Sequence, residues 1–196
     1  MASIVFIALS LVELNWLRFP VRMSPPLSPA MAALVDGVRQ SPGTTVLDLP
    51  FCVAGGNGVC TEEQCPQYPQ STIPLCMRAW HGKKVHGLYQ GRMTEADCQV
   101  YRKAPYESWF SAWRANRCFT PLEWDDFCRY LSDHPELSDI VLYADIWSAS
   151  GQSECLSEFE RRLGPPLGSG SIAMDLITYG GRAERFSRVF RFAPHC

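Results

Sequence analysis

Apolar residues recur along this chain with changing periods, and the changes mark its elements. Residues 1–12 carry no charge and are mostly Ala, Ile, Val, Phe and Leu; Trp16-Leu17 follow, with Arg18 and Arg22 flanking Phe19-Pro20. Pro20, Pro25, Pro26 and Pro29 make residues 19–29 an extended linker. Met31, Leu34, Val35 and Val38 then fall at i, i+3, i+4 and i+7, the apolar stripe of a short helix. Ser28 caps that helix, Pro29 opens it and Pro42-Gly43 stops it. Thr44 to Leu49 (TTVLDL) reads as a strand ended by Pro50.

From Phe51 the period is lost. Residues 51–78 form an irregular Cys/Gly/Pro stretch. Lys83 to Arg92 (KKVHGLYQGR) offers two short β-like pieces broken by Gly87 and Gly91, whose plainest reading is a hairpin with polar tips. Trp109, Phe110 and Trp113 bring back helical spacing within 97–119. Thr120 caps the next helix, Pro121 opens it, and Trp124, Phe127, Cys128 and Leu131 line one face. Ile140 to Tyr143 (IVLY) is a continuous apolar run, the mark of a strand covered on both faces. Leu156, Phe159 and Leu163 edge a further helix stopped by Gly164-Pro165-Pro166, and Gly168-Ser169-Gly170 reads as a flexible turn. Ser171–Tyr179 and Phe186–Phe192 close the chain as two strands around Gly180-Gly181-Arg182. The order predicts an α/β fold: a small mixed β-sheet of 4–5 strands with 3–4 helices, preceded by an apolar N-terminal helix. The chain divides into that helix at 1–18, the linker at 19–29, and a domain at 30–196 with a Cys-rich irregular insert at 51–78.

Composition changes this picture in two ways. The 196 residues carry 18 Lys+Arg against 20 Asp+Glu and are 46% hydrophobic, too apolar for disorder throughout. A net charge of −2 lacks the bulk positive charge of a nucleic-acid binder, so no nucleic-acid partner is expected. Nine cysteines, at 52, 60, 65, 76, 98, 118, 128, 155 and 196, change more. Four of them crowd a turn-rich stretch that cannot supply a dense core, where cross-links substitute for packing in exported domains. In a reducing cytosol the same residues would be small hydrophobes. The odd count leaves at least one thiol, and terminal Cys196 is its natural place.

The N-terminal run bears on the compartment. It is shorter than the ~20 apolar residues of a spanning helix. It also lacks the basic n-region and clear A-x-A site of a secretory signal. It fits the last part of a transmembrane helix with Trp16 at the interface, or a buried or amphipathic first helix. The expected location is membrane-associated, with the domain on the extracytoplasmic side, periplasmic or extracellular.

Several segments then carry a family resemblance. They are Val46-Leu47-Asp48-Leu49-Pro50-Phe51 behind the apolar segment and linker, His81-Gly82-Lys83-Lys84-Val85-His86-Gly87-Leu88-Tyr89 with Arg92, and a closing Arg188-Val189-Phe190-Arg191-Phe192. The series resembles the extracytoplasmic C-terminal domain of polytopic bacterial membrane glycosyltransferases of the GT-C type. Those proteins carry a V-x-(D/E)-L-P strand and an H-G-(K/R)-x-(V/I)-x-G-Y segment. Leu88 separates Gly87 from Tyr89 where that pattern joins them, and the cysteines are not part of it. The family's catalytic carboxylate lies in an earlier loop, so the resemblance assigns no catalytic residue here. It implies the end of a larger membrane protein, attached through its N-terminal helix and positioning a lipid-linked sugar or acceptor.

Read residue by residue, the densest set of ligand-facing chemistry is Trp80, His81, His86, Tyr89 and Arg92. Aromatic faces stack on sugars, and His and Arg donate to hydroxyls or phosphate. Cys60 and Cys65 with His81 and His86 approach the spacing of a zinc site, although Cys52 and Cys76 offer the same cysteines disulfide partners. Asp125 and Asp126 are adjacent and diverge on a helix, so they form no carboxylate dyad. No G-x-S-x-G, P-loop or G-x-G-x-x-G occurs, and no cofactor is expected. Three readings follow: the accessory glycosyltransferase-like domain, a secreted disulfide-stapled binding module without catalysis, and a small zinc-stabilised domain.

Overall fold

The computed structural model describes residues 27–55, 57–65, 73–90, 92–147, 152–178 and 181–196. The apolar segment at 1–18 and the linker up to residue 26 lie outside them. In chain order the elements are α1 (Pro29–Gln40), β1 (Thr45–Leu49), β2 (Val53–Gly55), α2 (Thr61–Gln64) and α3 (Ile73–His81). Then come β3 (Lys84–Val85), β4 (Leu88–Gln90), α4 (Glu95–Gln99), α5 (Tyr106–Arg114) and α6 (Pro121–Asp133). The chain closes with β5 (Leu137–Tyr143), α7 (Ala144–Trp147), α8 (Gln152–Leu163), β6 (Gly168–Thr178) and β7 (Gly181–Phe192).

Five strands form one mixed sheet in the order β3-β1-β5-β7-β6. β1 runs parallel to both β3 and β5, whereas β7 is antiparallel to β5 and β6. Alternation along the strands sorts side chains onto two faces. Val46, Val141, Tyr143 and Val189 face α1 and α3, where Met31, Leu34, Val35, Val38 and Met77 cover them. Leu47, Leu49, Ile140, Leu142 and Phe192 face a larger layer built on Trp109, Trp113, Trp124, Phe127 and Phe159. Every residue of β5 is buried, as the unbroken apolar run predicts for a strand covered on both sides.

Local signals explain the helices on both faces. Ser28 Oγ accepts the Met31 amide at 3.2 Å, and the predicted stripe of α1 is buried. Thr120 and Glu123 form a capping box at the start of α6, each side chain bonding the other's backbone, with Pro121 in the first turn. The helical segments outnumber the three or four that periodicity reveals. Thr61–Gln64 and Ala144–Trp147 are single turns, too short to show a period.

Three expectations are corrected. Gly168-Ser169-Gly170 opens β6 rather than forming a flexible turn; a side chain at 170 would lie 3.1 Å from Met31 Cα, so glycine lets the strand pass close under α1. Lys83–Arg92 is not a hairpin. β3 joins the large sheet beside β1, while β4 pairs in parallel with β2 in a separate two-stranded sheet. Gly87 makes the switch with φ +92°, its Cβ direction blocked at 2.7 Å by the Cys52 carbonyl. Finally, Cys196 is not the leftover thiol. The disulfides are Cys52–Cys65, Cys60–Cys98, Cys118–Cys155 and Cys128–Cys196.

Candidate functional site

The residues singled out from sequence are dispersed by this topology. Trp80 packs partly buried against the α1 layer, and its carbonyl accepts from Arg39 Nη2 at 2.5 Å. His81 is buried at the end of α3, where Nδ1 accepts the Lys83 amide at 3.1 Å and Nε2 has no partner. Burial, reinforced by the Lys83 charge, lowers its pKa to about 4. His86 lies on the opposite side of the sheet, with Nε2 2.6 Å from the Tyr130 hydroxyl and its ring against Phe51. Burial also lowers its pKa. Tyr89 sits in β4 opposite Ala54, and Arg92 is exposed. Cys60 and Cys65, drawn into separate disulfides, are not held together with His81 and His86. Among the described residues no three His, Cys, Asp or Glu side chains group as a metal site.

Two buried polar groups on the α1 face were not anticipated. Asp139 of β5 accepts from Arg191 Nε at 2.6 Å and from the Ser41 hydroxyl, and Lys83 Nζ lies 3.9 Å away. Lys83 Nζ in turn donates to the Ser41 carbonyl at 2.7 Å. These bonds answer one another, so the cluster ties the end of α1 to β5 and β7. Asp48 occupies β1, and Oδ1 accepts the Tyr143 hydroxyl at 3.1 Å while Oδ2 has no hydrogen-bond partner. Complete burial drives its carboxyl well above the usual range, so the neutral acid is favoured.

An open cleft lies elsewhere, between α2, the turn after α4, and α5. It measures about 420 Å³ and is lined by Glu63, Gln64, Tyr101, Arg102, Glu107, Phe110 and Arg114. Arg102 donates from Nε to Glu63 at 2.8 Å and from Nη1 to Glu95 at 2.7 Å, which fixes its guanidinium across the rim. Those bonds hold its pKa above the ordinary arginine value. Gln64 is buried; Nε2 donates to the Cys98 carbonyl at 3.1 Å and Oε1 has no partner. Tyr101 stands half-buried with its ring 5.3 Å from that of Tyr106. Behind it, the Tyr106 hydroxyl is 3.0 Å from that of Tyr130, which reaches His86. A ring contact thus leads from the cleft wall to Tyr106, and hydrogen bonds continue from there through Tyr130 to one of the two predicted histidines.

Apart from Phe110, which belongs to the helical pattern of 109–113, none of the cleft residues belonged to a pattern. They come from three short segments with no common period, brought together by Cys60–Cys98 beside Gln64 and Tyr101. Only the crowding of cysteines hinted that segments of this insert would be joined. No family model matches the chain, and no curated protein or solved structure matches it.

Proposed function

We propose that the chain is an exported, disulfide-cross-linked domain that serves as a non-catalytic accessory to a membrane glycosyltransferase-like system, positioning a lipid-linked sugar or its acceptor. One observation carries the exported part of this reading: eight of the nine cysteines sit in four disulfides. Such density belongs to oxidising compartments, because cytosolic thiols are kept reduced. The glycosyltransferase part has slighter support, in that its two quoted motif segments lie side by side, with Thr45 opposite Lys84 and Val46 opposite Val85. The apolar N-terminal segment supplies the membrane attachment in this reading.

Thiol titration of the denatured, unreduced protein from its native source tests the compartment. One reactive thiol per chain is expected, and eight or nine would overturn export. Membrane fractionation tests the attachment. Recovery in a salt-washed membrane pellet is expected for the glycosyltransferase-linked domain, while recovery in the soluble exported fraction selects the secreted binding module instead.

A further inference from the structure

We infer that the cleft between α2 and α5 is a binding site for an uncharged saccharide of one or two rings. The inference deepens the proposed function, naming the surface on which a sugar would rest. Its volume of about 420 Å³ lies in the ~300–1,000 Å³ range of small-molecule sites.

The lining selects the chemistry. Glu63 and Glu107 oppose Arg102 and Arg114, two charges of each sign, so neither an anion nor a cation meets a complementary field. A polyol meets acceptors and donors together and carries no charge to be repelled. Tyr101, half-buried, supplies aromatic surface against which the C–H face of a sugar packs. Gln64 is 2% exposed and supports the α2 wall, its Nε2 donating to the Cys98 carbonyl at 3.1 Å.

Two of the three walls, α2 and the turn after α4, are fixed covalently. Gln64 lies between Cys60 and Cys65, which are bonded to Cys98 and Cys52, and Cys98 precedes Tyr101 by one helical turn. The segments that must face each other are therefore held at a set distance before any ligand arrives, which lowers the ordering cost of binding.

The test is saturation-transfer NMR on the oxidised chain, titrated with neutral disaccharides (chitobiose, cellobiose, maltose and mannobiose), with glucuronate and glucose 6-phosphate as charged probes. Saturable transfer from at least one neutral disaccharide is expected, stronger than from either anion. Tyr101→Ala should weaken that binding about tenfold, whereas Tyr101→Phe retains the ring and most of the affinity. Arg114→Ala, at an exposed position that leaves the fold intact, should weaken it severalfold. Preference for glucose 6-phosphate or glucuronate would overturn the inference, as would neutral-sugar binding indifferent to both Tyr101→Ala and Arg114→Ala. So would the absence of transfer from all four disaccharides. Thiol titration and fractionation are read separately, so an empty cleft on an exported chain refutes this inference and leaves the proposed compartment standing.

Discussion

The two faces of the sheet are held by different physics. On the α1 side a regular helix with a clean apolar stripe lies over Val46, Val141 and Val189, and the ends of the layer are fastened by Asp139, Arg191, Lys83 and Ser41. On the α5, α6 and α8 side aromatic rings dominate. Phe119 contacts Trp124 and Trp147 at centroid distances of 5.4 and 4.9 Å, and three disulfides draw cysteines of this layer together or anchor it. The first layer follows local sequence and needs no cross-link. The second is assembled from segments separated by long irregular connections, whose closure entropy the disulfides reduce in the unfolded chain.

The sharpest way to break this comparison is to remove one cross-link. Replacing Cys118 and Cys155 together by alanine opens a bond spanning 37 residues and should cost about 3–4 kcal/mol. Chemical denaturation read by tryptophan fluorescence measures it. A loss below about 1 kcal/mol would mean that aromatic packing alone holds the second face. The corresponding lesion on the first face is electrostatic. Asp139→Asn leaves the partly buried Lys83 and Arg191 without their countercharge, and the same measurement should show a loss of about 3 kcal/mol.

Acidity probes both faces at once. His81 on the α1 side has its pKa lowered from 6.5 to about 4, chiefly by burial. Its contribution to stability is therefore present above pH 6.5 and is lost as pH falls through about 4, since the unfolded chain binds the proton more readily. His86 on the aromatic side is shifted in the same direction. His81→Gln and His86→Gln should each flatten part of the acid limb of a denaturation-midpoint profile. An unchanged limb in both would show that neither imidazole is buried as described. Asp48 has the opposite sign. Its raised pKa gives a contribution fully present below the ordinary 3.8 and lost as pH rises through the folded value, so Asp48→Asn should raise the midpoint at neutral pH and leave it unchanged in acid. The smallest effect belongs to the cap of α1: Ser28→Ala removes one acceptor and should cost about 1 kcal/mol by the same denaturation assay.

The asymmetry also decides what the sequence reveals. Ser28, Pro29 and the stripe from Met31 to Val38 state α1 completely, and Thr120-Pro121 with Trp124, Phe127 and Leu131 does the same for α6. Those signals are local. The split of Lys83–Arg92 between two sheets depends on the Cys52 carbonyl lying against Gly87, a contact that no neighbouring residue encodes. Similarly, Asp139 reads as a polar interruption before an apolar strand, and only the return of Arg191 from 52 residues away makes its burial intelligible. His81 and His86, five positions apart, look like partners in sequence yet diverge because β3 places its two flanks on opposite faces of the sheet. The cleft was hidden most deeply, because Glu63, Tyr101 and Arg114 share neither a period nor an element.

The bonds that bracket Gln64 have a practical corollary. Helices fray and salt bridges loosen by degrees as a protein is warmed, but a cystine stays closed until a thiolate attacks it. The α2 wall and the Tyr101 wall of the cleft owe their spacing to two such bonds rather than to a long hydrogen-bonded ladder. Warming short of global unfolding should leave their spacing nearly constant. All four sulfur-bearing residues are buried, so a thiolate reaches these bonds only once the surrounding structure opens. The durability of this surface thus depends on a reductant and local opening acting together, and neither alone should release it.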